Sequence, residues 1–194
     1  IGGAVVLARI LGPQTYGLIS IATLFTVIAN LILDQGLASA LIQKPVVGRT
    51  LPGAVATLNL AMAAVLATLT WVFAPWVADF FGAPDLPPLL RILAVGLLVK
   101  AAAIVPRAML MRDLDFRVIG RSDIAGAVVG TTAGVTAAFL GAGAYSFVIL
   151  TIATDLTILV FLLIGGPAHV PNTKLGQVVE ILPFSLRIFG TNVI

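Results

Sequence analysis

The chain has 194 residues, 60% of them hydrophobic and only 10% charged, with a formal net charge of +3. A soluble domain of ordinary composition carries roughly 25% charged residues, so a water-soluble fold is excluded. Cysteine is absent, which excludes disulfides and thiolate metal sites.

The apolar residues come in long runs. No charged residue occurs from Thr50 to Ala78, nor from Ile124 to Thr154. A helix needs about 20 predominantly apolar residues to cross the hydrocarbon core. A transmembrane barrel would instead alternate in segments of about ten residues, and no such alternation is present. The chain reads as an all-α, polytopic transmembrane helix bundle. No signal peptide is visible.

In chain order, residues 1–8 read as the tail of a first span. Residues 9–16 read as a turn, with Gly12-Pro13 as its breaker. A second span covers about 17–39 and is interrupted by Asp34-Gln35-Gly36, where the glycine permits a kink. Residues 43–52 form a loop with Lys44 and Arg49. The third span, about 51–76, is rich in alanine, which lets helices approach closely. Trp71 and Trp76 fall at its far end, as interfacial aromatics do. Residues 79–88 form the next loop, and the fourth span, about 89–105, carries Lys100. The fifth and sixth spans cover about 118–140 and 145–165, with Gly141, Gly143 and Ser146 marking the turn between them and Tyr145 as an interface residue.

Residues 166–182 then form a cytoplasmic linker. Leu175, Val178, Val179 and Leu182 keep helical spacing there, as in a segment lying along the membrane. A further span starts near Pro183 and takes residues 183–194. Residues 1–165 make an N-terminal transmembrane lobe, and the chain reads as a fragment of a longer protein, covering about one six-helix lobe.

The orientation follows from the stretch Pro106–Asp123, which holds Arg107, Arg112, Arg117 and Arg121. Short loops rich in Lys and Arg stay cytoplasmic, and acidic neighbours do not cancel the effect. On this topology the inner side also holds Lys44, Arg49, Lys174 and Arg187, whereas the outer side holds only Arg9 and Arg91. These basic residues read as topology signals and lipid-headgroup contacts, not as a nucleic-acid surface. Membrane lipids are thus expected partners, and nucleic acid is not.

Soluble-enzyme constellations are missing. His169 and Glu180 are the sole histidine and glutamate, and both lie in the linker. No phosphate-cradling glycine pattern is present. Asp113 and Asp115 sit among arginines and read as helix caps and local ion-pair partners. No catalytic residue, metal ligand or cofactor is expected. Gly126, Gly130 and Gly134 form two overlapping GxxxG steps, which suit close helix packing; a substrate-facing groove is the alternative.

The informative polar residues lie within the spans: Asn30 and Asp34 on one face a turn apart, Asn59, Lys100, Asp123 and Asp155. All fall about five to ten residues from the expected cytoplasmic ends, roughly 7–15 Å deep at 1.5 Å per residue. Ionisable groups at such depth face a bundle interior or a water-filled cavity. Interhelical hydrogen bonds and ion pairs are one reading, and a polar cavity open to the cytoplasm is the other.

Four segments carry a resemblance: ARILGPQTYGLISIA at 8–22, DQGLASALIQ at 34–43, FFGAPDLPPLLRILA at 80–94 and PRAMLMRDLDFRVIGRSD at 106–123. In order and spacing they resemble bacterial polysaccharide exporters, the lipid-linked oligosaccharide flippases of the multidrug/oligosaccharidyl-lipid/polysaccharide exporter superfamily. The branch typified by colanic-acid and teichuronic-acid exporters is the most similar. The resemblance implies two six-helix lobes around a central cavity and a cytoplasmic N-terminus. It also implies an undecaprenyl-pyrophosphate-linked repeat unit as substrate, for O-antigen, capsule or exopolysaccharide, moved between leaflets by alternating access at the cell inner membrane. Cationic cavity residues would attract the pyrophosphate, and Lys100 is the residue placed to do so; pairing with Asp34 or Asp155 is its structural alternative. A drug/cation antiporter of the same superfamily would need a carboxylate for its coupling ion, H⁺ or Na⁺, which Asp34 could supply. A membrane-embedded glycan or lipid transferase would need a metal-binding aspartate cluster, and none is found.

Overall fold

The computed structural model describes residues 2–34, 41–42 and 50–166, without the side chains of residues 2–14 and 34. The loop with Lys44 and Arg49, the linker with His169, Lys174 and Glu180, and the helix expected from Pro183 lie outside the described residues. The expected all-α bundle is the fold found. Five helices make it up among the described residues: α1 (Gly2–Asp34), α2 (Leu51–Phe81), α3 (Leu86–Arg112), α4 (Phe116–Phe139) and α5 (Tyr145–Gly165).

Prolines mark the starts of α2 and α3, where a missing N–H removes no intrahelical bond. Three helices then end by one device. Gly82, Leu114 and Gly141 take positive φ angles of 61°, 56° and 83°. At each site the next residue's N–H bonds back five residues: Ala83 to Ala78 O, Asp115 to Leu110 O and Ala142 to Ala137 O, all at 2.9 Å. This double-bonded stop satisfies the last carbonyls of each helix. Glycine adopts the conformation freely at 82 and 141, while at 114 a leucine does so at a cost of about 1–2 kcal/mol. Asp115 at once caps α4, its carboxylate accepting from the Val118 N–H at 3.4 Å.

The helix bounds correct two sequence expectations. The arginine stretch is not one loop: Arg107 and Arg112 belong to α3, Arg117 and Arg121 to α4, and the turn is Asp113-Leu114-Asp115. Pro106 lies inside α3, because a spanning helix tolerates proline where neighbouring elements satisfy the freed carbonyl. The turn expected over residues 9–16 is likewise absent, since α1 is continuous over 33 residues, or about 50 Å. Gly12-Pro13 lowers helix propensity without ending the helix.

α2 and α3 form one antiparallel hairpin, α4 and α5 a second, and α3 packs on α5 to join them. The joins are layered. Leu51, Val55, Val105 and Ala108 pack at one end with Leu41, beside Leu110, Ile119 and Leu162. Ala74, Ala78, Leu86 and Leu90 pack at the other end, beside Ala22, Leu89, Leu93 and Val148. One end of the bundle, the arginine end, therefore carries Arg107, Arg112, Arg117 and Arg121. The turns at Gly82–Asp85 and Leu140–Ala144 lie at the far end. At the arginine end, Arg112 Nη1 donates to the Leu41 carbonyl at 2.9 Å.

Large apolar side chains cover the outside, with Trp76 71% exposed, Phe139 74% and Ile164 81%. Such a surface suits lipid rather than water. Four segments are long and apolar enough to cross a membrane by length and composition: Thr15–Leu33, Leu51–Phe81, Leu86–Arg112 and Tyr145–Gly165. α4 matches the bounds expected for the fifth span but is not among the four. Arg117, Arg121 and Asp123 occupy its first turns, and the uncharged remainder is short.

The glycines of α4 resolve as packing residues. Gly126, Gly130 and Gly134 are buried against α5. A Cβ at Gly126 would lie 2.7 Å from Ile158 Cγ1, and one at Gly134 would lie 2.6 Å from Leu150 Cβ. At Gly130 it would overlap Thr154 Oγ1 and come within 2.8 Å of the Leu150 carbonyl oxygen. This face is closed by α5 and leaves no groove for a substrate.

Candidate substrate cavity

α3 and α5 cross with a gap between them on the side nearer the arginine end. Lys100, Ala103, Ile104 and Arg107 of α3 and Asp155 and Ile158 of α5 line a cavity there of about 350 Å³. The residues share one face by helical arithmetic. Lys100 and Arg107 are seven apart, two turns, and Asp155 and Ile158 are three apart. Lys100 and Asp155 are partly buried and share the cavity without a direct ion pair. Small Ala103 leaves the space that a larger side chain would fill.

Arg107 is also tied to α4. Its Nη1 and Nη2 donate to Asp123 Oδ1 and Oδ2, each at 2.8 Å. The paired geometry fixes the plane of the guanidinium as well as its position. The two side chains are 38% and 43% exposed, so the pair stands at the rim rather than in a dry core.

The other sequence candidates fall elsewhere. Asp123 holds Arg107 and is not among the residues lining the cavity. Asn59 is completely buried in α2, and among the described residues neither its amide nitrogen nor its oxygen has a hydrogen-bond partner. Asn30 of α1 is partly buried, with its Oδ1 also unpartnered among the described residues. Neither asparagine lines this cavity. The side chain of Asp34 lies outside the described residues, though the backbone places it at the end of α1. Lys100 also sits deeper than expected, because α3 continues to Arg112: it is about 18 Å from that end at 1.5 Å per residue.

Sequence reasoning missed Arg107 as a cavity residue. The signal was its seven-residue spacing from Lys100, hidden by ending the fourth span at Val105. It also missed the contact of Arg91 with Trp71, whose ring centroid lies 5.6 Å from the guanidinium carbon.

Long apolar helices with exposed apolar flanks, enclosing a charged cavity, define a multi-pass helical membrane protein. Bilayer-spanning helices, as opposed to closed barrels, are the architecture of the inner membrane, and that is where this protein resides. The chain belongs to the polysaccharide biosynthesis protein family, whose description matches residues 6–194. It is 26% identical over 133 residues to the lipopolysaccharide biosynthesis protein WzxC of Escherichia coli (strain K12), covering 69% of this chain and 27% of that protein. It is 30% identical over 141 residues to the succinoglycan biosynthesis transport protein ExoT of Rhizobium meliloti (strain 1021), covering 73% of this chain and 28% of that protein. The teichuronic acid biosynthesis protein TuaB of Bacillus subtilis (strain 168) is 30% identical over 99 residues, 51% of this chain and 20% of that protein. The matches thus span about a quarter of the length of these relatives. No solved structure matches the chain.

Proposed function

We propose that this chain is part of an inner-membrane transporter, rather than an enzyme. It flips undecaprenyl-pyrophosphate-linked oligosaccharide repeat units to the outer leaflet for polysaccharide biosynthesis. The carrying observation is the cavity in which Lys100 and Arg107 face Asp155 inside a bundle of membrane helices. A pyrophosphate needs dispersed positive charge and several donors. A guanidinium presents donors in a planar fork, and an ammonium acts as a mobile point charge. Asp155 can accept hydrogen bonds from sugar hydroxyls and keeps the unloaded cavity from holding uncompensated cations, which are costly within a membrane. Family membership supports the substrate class, since the relative ExoT is named as a succinoglycan biosynthesis transport protein. The same carboxylate is the natural place for a coupling ion, H⁺ or Na⁺.

The test is Lys100→Met, read as protein abundance and as glycan export. Substrate binding requires normal abundance with export abolished, and Lys100→Arg retaining part of it. A structural pair instead lowers abundance, which neutralising Asp155 as well restores. Normal abundance with normal export removes Lys100 from both roles.

A further inference from the structure

A second site lies on the opposite side of α3 from the cavity, on an exposed apolar surface shared with α2. We propose that this surface holds one bilayer phospholipid, with its phosphate on Arg91 and an acyl chain in the groove beside Trp71. Arg91 stands in the second turn of α3, near the far end of the bundle. Its guanidinium lies over Trp71, which satisfies its charge in part but none of its N–H donors. Arg91 Nε is buried and has no hydrogen-bond partner among the described residues. Asp79 and Asp85, the acidic residues at this end of α2 and α3, form no ion pair with it. An anion with acceptor oxygens is what this arginine lacks.

The groove supplies the rest of the ligand's description. It encloses about 210 Å³ between α2 and α3 and is lined by Ala67, Thr68, Trp71, Val72, Val95 and Leu98. The Thr68 hydroxyl is spent on the Ala64 carbonyl at 2.8 Å, so its walls offer an apolar surface. Val95 and Leu98 follow Arg91 by one and two turns, and Thr68 and Ala67 precede Trp71 by about one turn. The groove therefore runs from the cation toward the bilayer centre, the direction in which a lipid's chain leaves its phosphate. On the charge-bias topology this is the outer leaflet.

The experiment uses the protein purified from membranes and phosphatidylglycerol with brominated acyl chains, which quenches nearby indoles. The Trp71 signal is taken as the difference from a Trp71→Phe variant. Quenching should saturate with lipid mole fraction. Arg91→Gln should raise the half-saturating fraction roughly fivefold, the effect of one basic residue at an anionic surface, and Arg91→Lys should raise it less. Ala67→Leu, which leaves Arg91 and Trp71 in place, should lower the maximum by filling the groove. This arm decides the matter if Arg91→Gln does not fold. Linear, unsaturable quenching, or curves unchanged by both Arg91→Gln and Ala67→Leu, overturn the proposal. So does displacement of the brominated lipid by an equal fraction of polyisoprenyl phosphate, which would assign the groove to a transported lipid instead.

Discussion

Arg107 and Asp123 meet through two parallel hydrogen bonds of 2.8 Å, joining the last turns of α3 to the second turn of α4. Arg107 belongs at the same time to the cavity wall with Lys100 and Asp155. Asp123 thus aims a cavity cation from outside the cavity. Because both side chains are more than a third exposed, solvent screens the pair and its net contribution to stability is small.

A double-mutant cycle over Arg107→Gln and Asp123→Asn should give a coupling of no more than about 1 kcal/mol, read as thermal unfolding in detergent. Export should nevertheless fall in Asp123→Asn, because the guanidinium loses the partner that orients it. A coupling well above that value would place the pair in a dry interface of the assembled protein.

Gly130→Leu should separate α4 from α5. A methyl-sized group already collides with Thr154 and the Leu150 carbonyl, and backbone oxygen cannot step aside as a side chain can. Overpacking costs typically about 1–3 kcal/mol, and a four-carbon side chain here should meet or exceed the upper figure. The expected result is a sharp loss of folded protein in the membrane. Gly120→Leu serves as the control, because nothing lies within 4 Å of a Cβ built there. Equal yields of the two variants would contradict the packing described.

The orientation can be read with single cysteines, since the chain has none of its own. In intact spheroplasts an impermeant thiol reagent should label Pro84→Cys and Ala142→Cys in the far-end turns. It should label Asp113→Cys, in the turn at the arginine end, only after permeabilisation. Labelling of position 113 from outside would invert the topology.

The sequence alone determined the class of this protein. Uncharged runs such as Ile124–Thr154 leave a chain no stable place but the bilayer, and Gly141 with Gly143 marked the turn between α4 and α5 correctly. The GxxxG spacing named the packed face of α4, because small residues have one overriding use at a helix contact. The polar candidates were legible as costly residues inside spans, yet their grouping was not. Lys100 and Asp155 share a cavity, whereas Asn59 is buried apart from it, and nothing in their spacing along the chain separates them. That division depends on which faces of α3 and α5 turn toward each other, and those faces are set by the glycines of α4 and the layered contacts of α2. Arg107 shows the point most sharply. As a residue in a run of arginines it is a topology signal, and only when α3 continues through Pro106 does the helix carry it two turns past Lys100 and into the same wall. Charge and hydropathy act locally and can be read from the chain; the meeting of side chains from different helices is decided by packing, which no local pattern encodes.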